Sequence, residues 1–551
     1  MKNTLWVVLA VVLIVGGFLL YKHFKQKKIA ELKQKLQQRI YEETDGLYKL
    51  TWGKLEVDEV RKRLLFLDLR LETDSSFNNG TTTKDGRSLP FIVLHIPTLE
   101  INGYKIDKKE KTIEVDEIRL LKANLVLSVD RSEQDSTGNW QREMKEQLLQ
   151  KWNDVKIHRI HLEDLTAKLM KKNLDKPQVE VLQASVGFTK LFLNKNTEDT
   201  GSLINSFGIS SFTAKEFGWF DKSRFFKYTL HDINFNETDA HLFINRFQTQ
   251  PQLSKQVFME RIPYRKNYLT AECSKINFLG FRLGFDPSLQ IETDSLVIGR
   301  SAISIERDHR LPHDGKNRVG SYPHQQLMRV PFLLHLKTIQ FKDLNLTYKE
   351  LNPKTNQTGE MRFSKITALV KHLTNDKKQL EQQNRMSLVV NCFFEQRIPL
   401  NLDAEFVLGH PAGAFQLSGE VGPLNLSDVN EVAMSMGSLR FEKGKINKYH
   451  FQLNGNDQGV KGDYRLLYED LVIAAIDPQK EEGEGDKKHI KSFLFNMKLK
   501  NANPSADGKL RSPSIYTQRT ADRSILHLAW RSLFDGMMQT AMPSAKSQPP
   551  A

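Results

Sequence analysis

The stretch FQLNGNDQGVKGDYRLLYEDLVIAAI, Phe451 to Ile476, decides how the rest of this chain is read. Val460, Gly462, Tyr464, Leu466 and Tyr468 occupy every second position, with Lys461, Asp463 and Arg465 between them. Successive side chains of a strand point to opposite faces, so this alternation predicts a strand with one dry and one wet face. NGNDQG ahead of it is turn text. LVIAAI after it is apolar at every position, as expected of a strand covered on both sides.

The same period runs outward from there. RLLFLDLRLETD, from Arg63, sets Leu65, Leu67, Leu69 and Leu71 against Phe66, Asp68, Arg70 and Glu72. FIVLHIP, KANLVLSVD and HLKTIQFKDLNLTYKE repeat the alternation, and PLNLDAEFVLG carries it through Leu400, Leu402, Phe406 and Leu408. A short echo, FQLSG at Phe415 and FQLNG at Phe451, hints at one strand–turn–strand unit used more than once. Neither a strand–helix–strand rhythm nor a glycine-rich phosphate loop interrupts it. The prediction is a mainly β fold built on a long antiparallel sheet, curled into a groove or packed as sandwiches; period alone does not choose between them.

Helical text is sparse. Ile29, Leu32, Leu36 and Ile40 predict a helix over residues 29–46 ending near Gly46. Trp140, Met144, Leu148 and Trp152 predict a second, and LSDVNEVAM a short third capped by Ser427. RSILHLAWRSLFDGMMQTAM, Arg523 to Met542, predicts an amphipathic helix whose apolar set includes Leu528, Trp530, Leu533, Phe534 and Met537. Such a helix covers a sheet edge or lies on a membrane surface.

Residues 5–21, LWVVLAVVLIVGGFLLY, carry no charge. Leu5, Leu9, Leu13 and Phe18 with Trp6 and Tyr21 at the ends fit a short membrane-spanning helix with interfacial anchors. No small-x-small cleavage site follows, so an uncleaved anchor is expected. Lys22, Lys25, Lys27 and Lys28 directly after it place the bulk of the chain in the cytoplasm under the positive-inside rule. The organisation expected is anchor with basic flank 1–28, juxtamembrane helix 29–46, β-rich regions 47–329 and 330–522, helix 523–542 and tail 543–551.

The net charge of +14 is spread among acids, without a dense basic arm, which argues against nucleic acid as partner and leaves anionic membrane surfaces. Cys273 and Cys392 are too few for a zinc site. His309, His313 and His324, with Asp308 and Asp314, form the one metal-like cluster, but arginines share the stretch and the spacing fits no zinc pattern. No metal or cofactor is expected. His158 and His161, three apart in strand text, are expected on opposite faces. No nucleophile elbow, zinc-protease helix, P-loop or kinase set is present, so no catalytic residue is predicted.

Several phrases then carry a family resemblance. LKTIQFKDLNLTYKELNPKTNQTGEMRFSKITALVKHLTND, GEVGPLNLSDVNEVA, GSLRFEKGKINKYHFQLNGNDQGVKGDYRLLYEDLVIAAI and RSILHLAWRSLFDGMMQTA stand in that order between residues 330 and 542. In wording and order they resemble the AsmA-like family in its Bacteroidota form, related to bridge-like lipid-transfer proteins built from β-groove units. The N-terminal body matches only in periodicity. The resemblance implies an inner-membrane anchor, a periplasmic body, phospholipid or another envelope lipid as partner, and a groove that shields acyl chains. It reverses the topology that the lysines favour. Candidate groove-lining residues are Leu65, Leu67, Leu69, Leu71, Leu400, Leu402, Phe406, Leu408, Tyr464 and Leu466. The rival readings are a lipid-free structural or regulatory envelope protein that binds other proteins through its sheet, and, third, an enzyme with a carboxylate cleft.

Overall fold

In a computed structural model of the chain, the described residues are 26–43, 46–74, 91–129, 152–171, 176–194, 208–284, 289–353, 356–437, 439–475 and 499–543. The anchor from Leu5 to Tyr21, the Trp140 helix, the charged loop 477–491 and the tail lie outside them. Among the described residues no helix is long and apolar enough to cross a membrane. The fold is mainly β and divides into two compact units, Met1–Phe247 with Leu283–Leu289, and Gln248–Arg282 with Gln290–Ala551.

The first unit opens with helix α1 (Gln26–Glu43), which ends three residues before Gly46. Leu36 is buried, and Lys33 and Gln37 reach the carbonyls of Trp52 and Leu50 at 2.8 Å each. Strands β1 (Tyr48–Thr51) and β2 (Lys54–Asp58) pair end to end along β3 (Arg63–Thr73). Beyond β3 lies β4 (Phe91–Asn102), and beyond it β6 (Thr112–Leu121) and β7 (Asn124–Val129), again end to end; β5 (Lys105–Asp107) pairs with β6. Then come β8 (Asp154–Lys171), β9 (Val179–Asn194), β10 (Gly208–Phe220) and β11 (Phe226–Asn236), followed in the chain by β12 (His241–Pro251).

The second unit holds α2 (Lys255–Arg261), β13 (Tyr268–Leu279), β15 (Gln290–Asp308), α3 (Pro323–Leu327), β16 (Leu333–Leu351), β17 (Thr358–Thr374) and α4 (Lys377–Gln382), with β14 (Arg282–Gly284) at the junction. It continues with β18 (Arg385–Phe394), β19 (Ile398–Val407), β20 (Phe415–Val421), β21 (Leu424–Asn425), α5 (Asn430–Gly437), β22 (Leu439–Gly455), β23 (Gly459–Ala475), β24 (Ser514–Gln518) and α6 (Ile525–Ala541). The ladder runs β13, β15, β16, β17, β18, β19, β20, β22, β23, β24. Ser427 does not cap α5: it sits inside a 3-10 turn, Leu426–Val429, that precedes the helix.

Two departures from an antiparallel sheet stand out. β8 runs parallel to β6 and β7, and β16 runs parallel to β15. A parallel pair needs a crossover rather than a hairpin. Residues 309–332, with α3 inside them, supply it in the second unit. Strand periodicity carries no information about strand direction, so the sequence reading missed both.

A second correction concerns which residues share a face. In β3 the buried residues are Leu64 and Phe66, then Leu69 and Leu71; Leu65 and Leu67 are only half-buried, on the other side. The parity changes at Asp68, whose φ of 57° is left-handed. A left-handed residue in a strand breaks the pleat and kinks it, and aspartate tolerates that backbone better than most residues. The device recurs. Asp164, Gln183, Asp232, Lys275, Lys365 and Asp470 all have positive φ and are exposed, and each precedes a buried apolar residue: Leu165, Ala184, Ile233, Ile276, Ile366 and Leu471.

Within each unit most of these breaks neighbour one another across the ladder, Asp470 in β23 standing apart from the rest. Lys122, left-handed between β6 and β7, donates to the carbonyl of Glu163 at 2.8 Å, beside Asp164. In the second unit Lys275 stands beside Gly299, where a Cβ would come within 2.8 Å of the Ser274 carbonyl. The β16–β17 and β17–β18 registers shift just beyond, after Phe341 and after Ser364. Parity also changes between Ile157 and Ile160, here without a left-handed residue, so His158 and His161 both fall on the wet face, each beside a different glutamate: Glu114 at 2.9 Å and Glu117 at 3.7 Å.

Candidate functional site

Directly opposed residues of a β ladder share a face, so the registers trace the apolar surface strand by strand. In the first unit one row runs Phe66, Leu99, Leu120, Leu162, Val186, Phe212, Phe235. Its members in β3, β4 and β6 have no exposed surface, whereas Phe212 in β10 is half-buried. On the same sheet Trp219 stacks on Tyr228 at 5.4 Å, and Tyr228 on Phe247 at 6.4 Å.

In the second unit one row crosses eight strands: Ile298, Phe341, Ala368, Val390, Leu402, Gly419, Phe451, Tyr464. A second runs Ile303, Leu346, Phe363, Phe394, Ile398. The expected groove residues Leu400, Leu402, Phe406, Leu408, Tyr464 and Leu466 belong to this face, but they do not share one environment. Tyr464 and Leu466 lie in a closed core with Phe415, Tyr449, Phe451, Leu453 and Leu528, and Leu402 and Phe406 pack against it. Farther along, Phe341, Leu346, Phe363, Leu388, Val390 and Phe394 remain half-buried.

Helix α6 makes the difference. Ser524 caps it, accepting from the His527 amide at 3.3 Å. Its buried side is Leu528, Ser532, Asp535, Gly536 and Thr540 rather than the large apolar set. Gly536 admits the Tyr464 ring, since a Cβ there would strike it, and the Tyr464 hydroxyl meets Ser532 Oγ. Tyr449 Oη donates to the Leu533 carbonyl at 2.8 Å, and Thr517 to Asp535 at 3.1 Å. Leu533, Phe534 and Met537 are half-buried, and Trp530, expected on the apolar side, is 58% exposed.

The echo also finds its reason here. Phe415 pairs with Gly455 and Gly419 with Phe451 across β20 and β22, so each phenylalanine ring lies over the other copy's glycine. NGNDQG is the β22–β23 turn, and its Asp457 is no idle turn residue. It forms an ion pair with Arg519, accepts from Gln325 Nε2 at 2.6 Å and from the Gly320 amide at 3.1 Å. The Arg519 guanidinium in turn stacks on Tyr322 at 4.1 Å.

The three loop histidines are separated by what they touch. His324 is buried between Tyr322 and Phe406, and burial holds its pKa below the ordinary value. His309 Nδ1 lies 3.0 Å from Glu350. His313 Nε2 lies 2.9 Å from Arg265 Nη1 and also meets Arg523 Nη1. Burial, then the charge of Arg265, lowers the His309 pKa to about 4, while burial raises that of Glu350. No group of three or more ligating side chains with metal-site geometry occurs among the described residues. Arg265, Arg307 and Arg523, which surround this corner, were missed by sequence reading because they come from three segments far apart in the chain.

Two clefts have linings of mixed polarity. One of about 1140 Å³ separates α1 from β1 and is lined by Gln34, Gln38, Glu42 and Lys49. Another of about 700 Å³ lies where β16 and β17 shift register, lined by Arg300, Asp343 and Arg362 together with Leu346 and Phe363. Compared with known proteins, the chain matches no family model and no curated protein sequence.

Proposed function

We propose that this chain is a non-catalytic lipid-binding and lipid-transfer protein of the AsmA-like kind, held at the inner membrane by residues 5–21 with its sheet in the periplasm. The single observation that carries the reading is the apolar face of the second unit, which runs over eight strands, is closed by α6 and the Tyr322–His324 segment at its C-terminal end, and stays half-buried at Phe341, Phe363 and Val390. The left-handed breaks support it further, because aligned kinks curl a sheet into a trough. An acyl chain gains about 0.8 kcal/mol for each CH₂ it moves out of water, so a strip of half-exposed Leu, Val and Phe holds lipid without specific contacts. That requires no catalytic geometry and no cofactor.

The test is mass spectrometry of lipid extracted from the full chain purified in mild detergent. Wild type should carry diacyl lipid. Leu346→Asp and Phe363→Asp, on the half-exposed part of the face, should lower recovery at least about fivefold, a charge being far costlier to bury than the side chain it replaces. Circular dichroism must show both variants folded. Lipid-free wild type, or folded variants with undiminished lipid, would sink the proposal.

A further inference from the structure

The apolar face of the second unit ends in charge. In β15 the row Ile303, Ile305 continues to Arg307, and in β16 the row Leu346, Tyr348 continues to Glu350, its partner in register. Around that end stand Arg265, from the segment after α2, and Arg523, just before α6. Arg265 donates to the carbonyls of Leu311 and His309, at 2.5 and 2.7 Å, which fixes its guanidinium. Arg307 is held by Asn267 Oδ1 at 2.9 and 2.7 Å.

The arrangement is unusual in its balance of charge. Arg265 and Arg523 converge on the same atom, His313 Nε2, which can accept only as a neutral imidazole. Two cations directed at one neutral nitrogen repel each other, and an anion between them removes the repulsion. The nearby Asp308 is taken up by Arg310, which binds both its carboxylate oxygens, and Asp314 by Arg318. That leaves Glu350 and Asp522 against three arginines. Glu350 is engaged by Tyr348 Oη at 3.0 Å and by His309, and Asp522 sits 3.6 Å from Arg523. His309 Nε2 is buried and has no hydrogen-bond partner. Guanidiniums fixed by backbone and amide acceptors, at the end of an apolar strip, match a ligand with a phosphate at one end and a chain at the other.

We propose that Arg265, Arg307 and Arg523 form a phosphate-binding site at the end of the apolar face, taking the headgroup phosphate of a lipid whose chains lie along Ile303, Ile305 and Leu346. This rests on the lipid-binding reading for its chains but not for its phosphate. A free phosphate ion offers the same oxygens, so both sources are tested.

The full chain is titrated in detergent with dihexanoyl phosphatidate, with dihexanoylglycerol of the same chain length, and with inorganic phosphate, following intrinsic fluorescence and ³¹P line width. Phosphatidate should bind about tenfold or more tightly than dihexanoylglycerol, as expected for charge-assisted contacts from fixed arginines. The double variant Arg307→Gln, Arg523→Gln should abolish that preference and leave binding of dihexanoylglycerol unchanged, which also shows the variant folded. Glu350→Gln removes a competing carboxylate and should tighten phosphatidate severalfold, a change of sign that a merely structural role would not give. Equal affinity for phosphatidate and dihexanoylglycerol in wild type, or a preference that survives the double variant, overturns the site. If neither lipid binds but inorganic phosphate does, and the double variant loses it, the lipid reading fails while the phosphate site stands as an ion site. If phosphate also fails to bind, both fall.

Discussion

Phe451 and Phe363 lie on one face of one sheet, yet the first is 1% exposed and the second half-buried. Both come from strands of the same apolar–polar alternation. What differs is the third layer: α6 and Tyr322 complete a closed core around Phe451, whereas the short helix α5, which packs on β17, leaves Phe363 half-buried. The alternation therefore reports that a face avoids water without saying what keeps water away. Where a helix does so, the face is core; where none does, the face is available to a ligand.

The sharpest way to break this comparison is truncation on both sides of it. Phe451→Ala should cost about 3–5 kcal/mol, the range for a large ring removed from a closed core. Phe363→Ala should cost less than about 2 kcal/mol, because a half-exposed ring loses less on removal. Urea unfolding of the two variants measures both. Equal losses would mean that Phe363 is packed as tightly as Phe451, and the distinction between covered and open face would be wrong.

How far the sequence carried this picture depends on the residue asked about. The strands, the β22–β23 turn and the terminal helix follow from period and turn chemistry, because those are local properties of the backbone. Leu402 and Tyr464 were readable as members of one dry face for the same reason. Leu65 and Leu67 were misassigned because a single left-handed residue, Asp68, reverses parity without altering the apolar count. Trp530 was misassigned because side-chain size outranked fit: the α6 seam selects Ser532 and Gly536, small enough to meet Tyr464. The arginine corner was invisible, since nothing in local text brings Arg265, Arg307 and Arg523 together.

A smaller effect probes the polar end of the open face. The folded-state pKa of His309 is about 4, against an unperturbed 6.5. Between those values the unfolded chain takes up a proton that folded His309 refuses, so stability falls as pH drops through that window. The loss is on the order of 3 kcal/mol at most. Glu350 offsets part of it, because burial raises its pKa and the folded chain then protonates it first. His309→Gln should flatten the stability profile between pH 6.5 and 4, measured by urea midpoints at each pH. A profile unchanged by the substitution would remove His309 from the acid response and detach this corner from the stability of the unit.

The smallest effect tests the covered end. Trp530 is 58% exposed and Leu526, four residues earlier, is 78% exposed, so both stand on the outer side of α6. If α6 docks through Leu528, Ser532, Asp535 and Gly536, then Trp530→Ser removes little that is buried and should change stability by no more than about 0.5 kcal/mol, as at an ordinary surface position. The same helix read by hydrophobicity alone places Trp530 against the sheet, where its loss would cost several times more. A thermal or urea midpoint of the purified variant separates the two, because the two helix rotations bury opposite sides. A large loss would mean that α6 turns its tryptophan inward and that the Tyr464–Ser532 contact is not what holds the helix on the sheet.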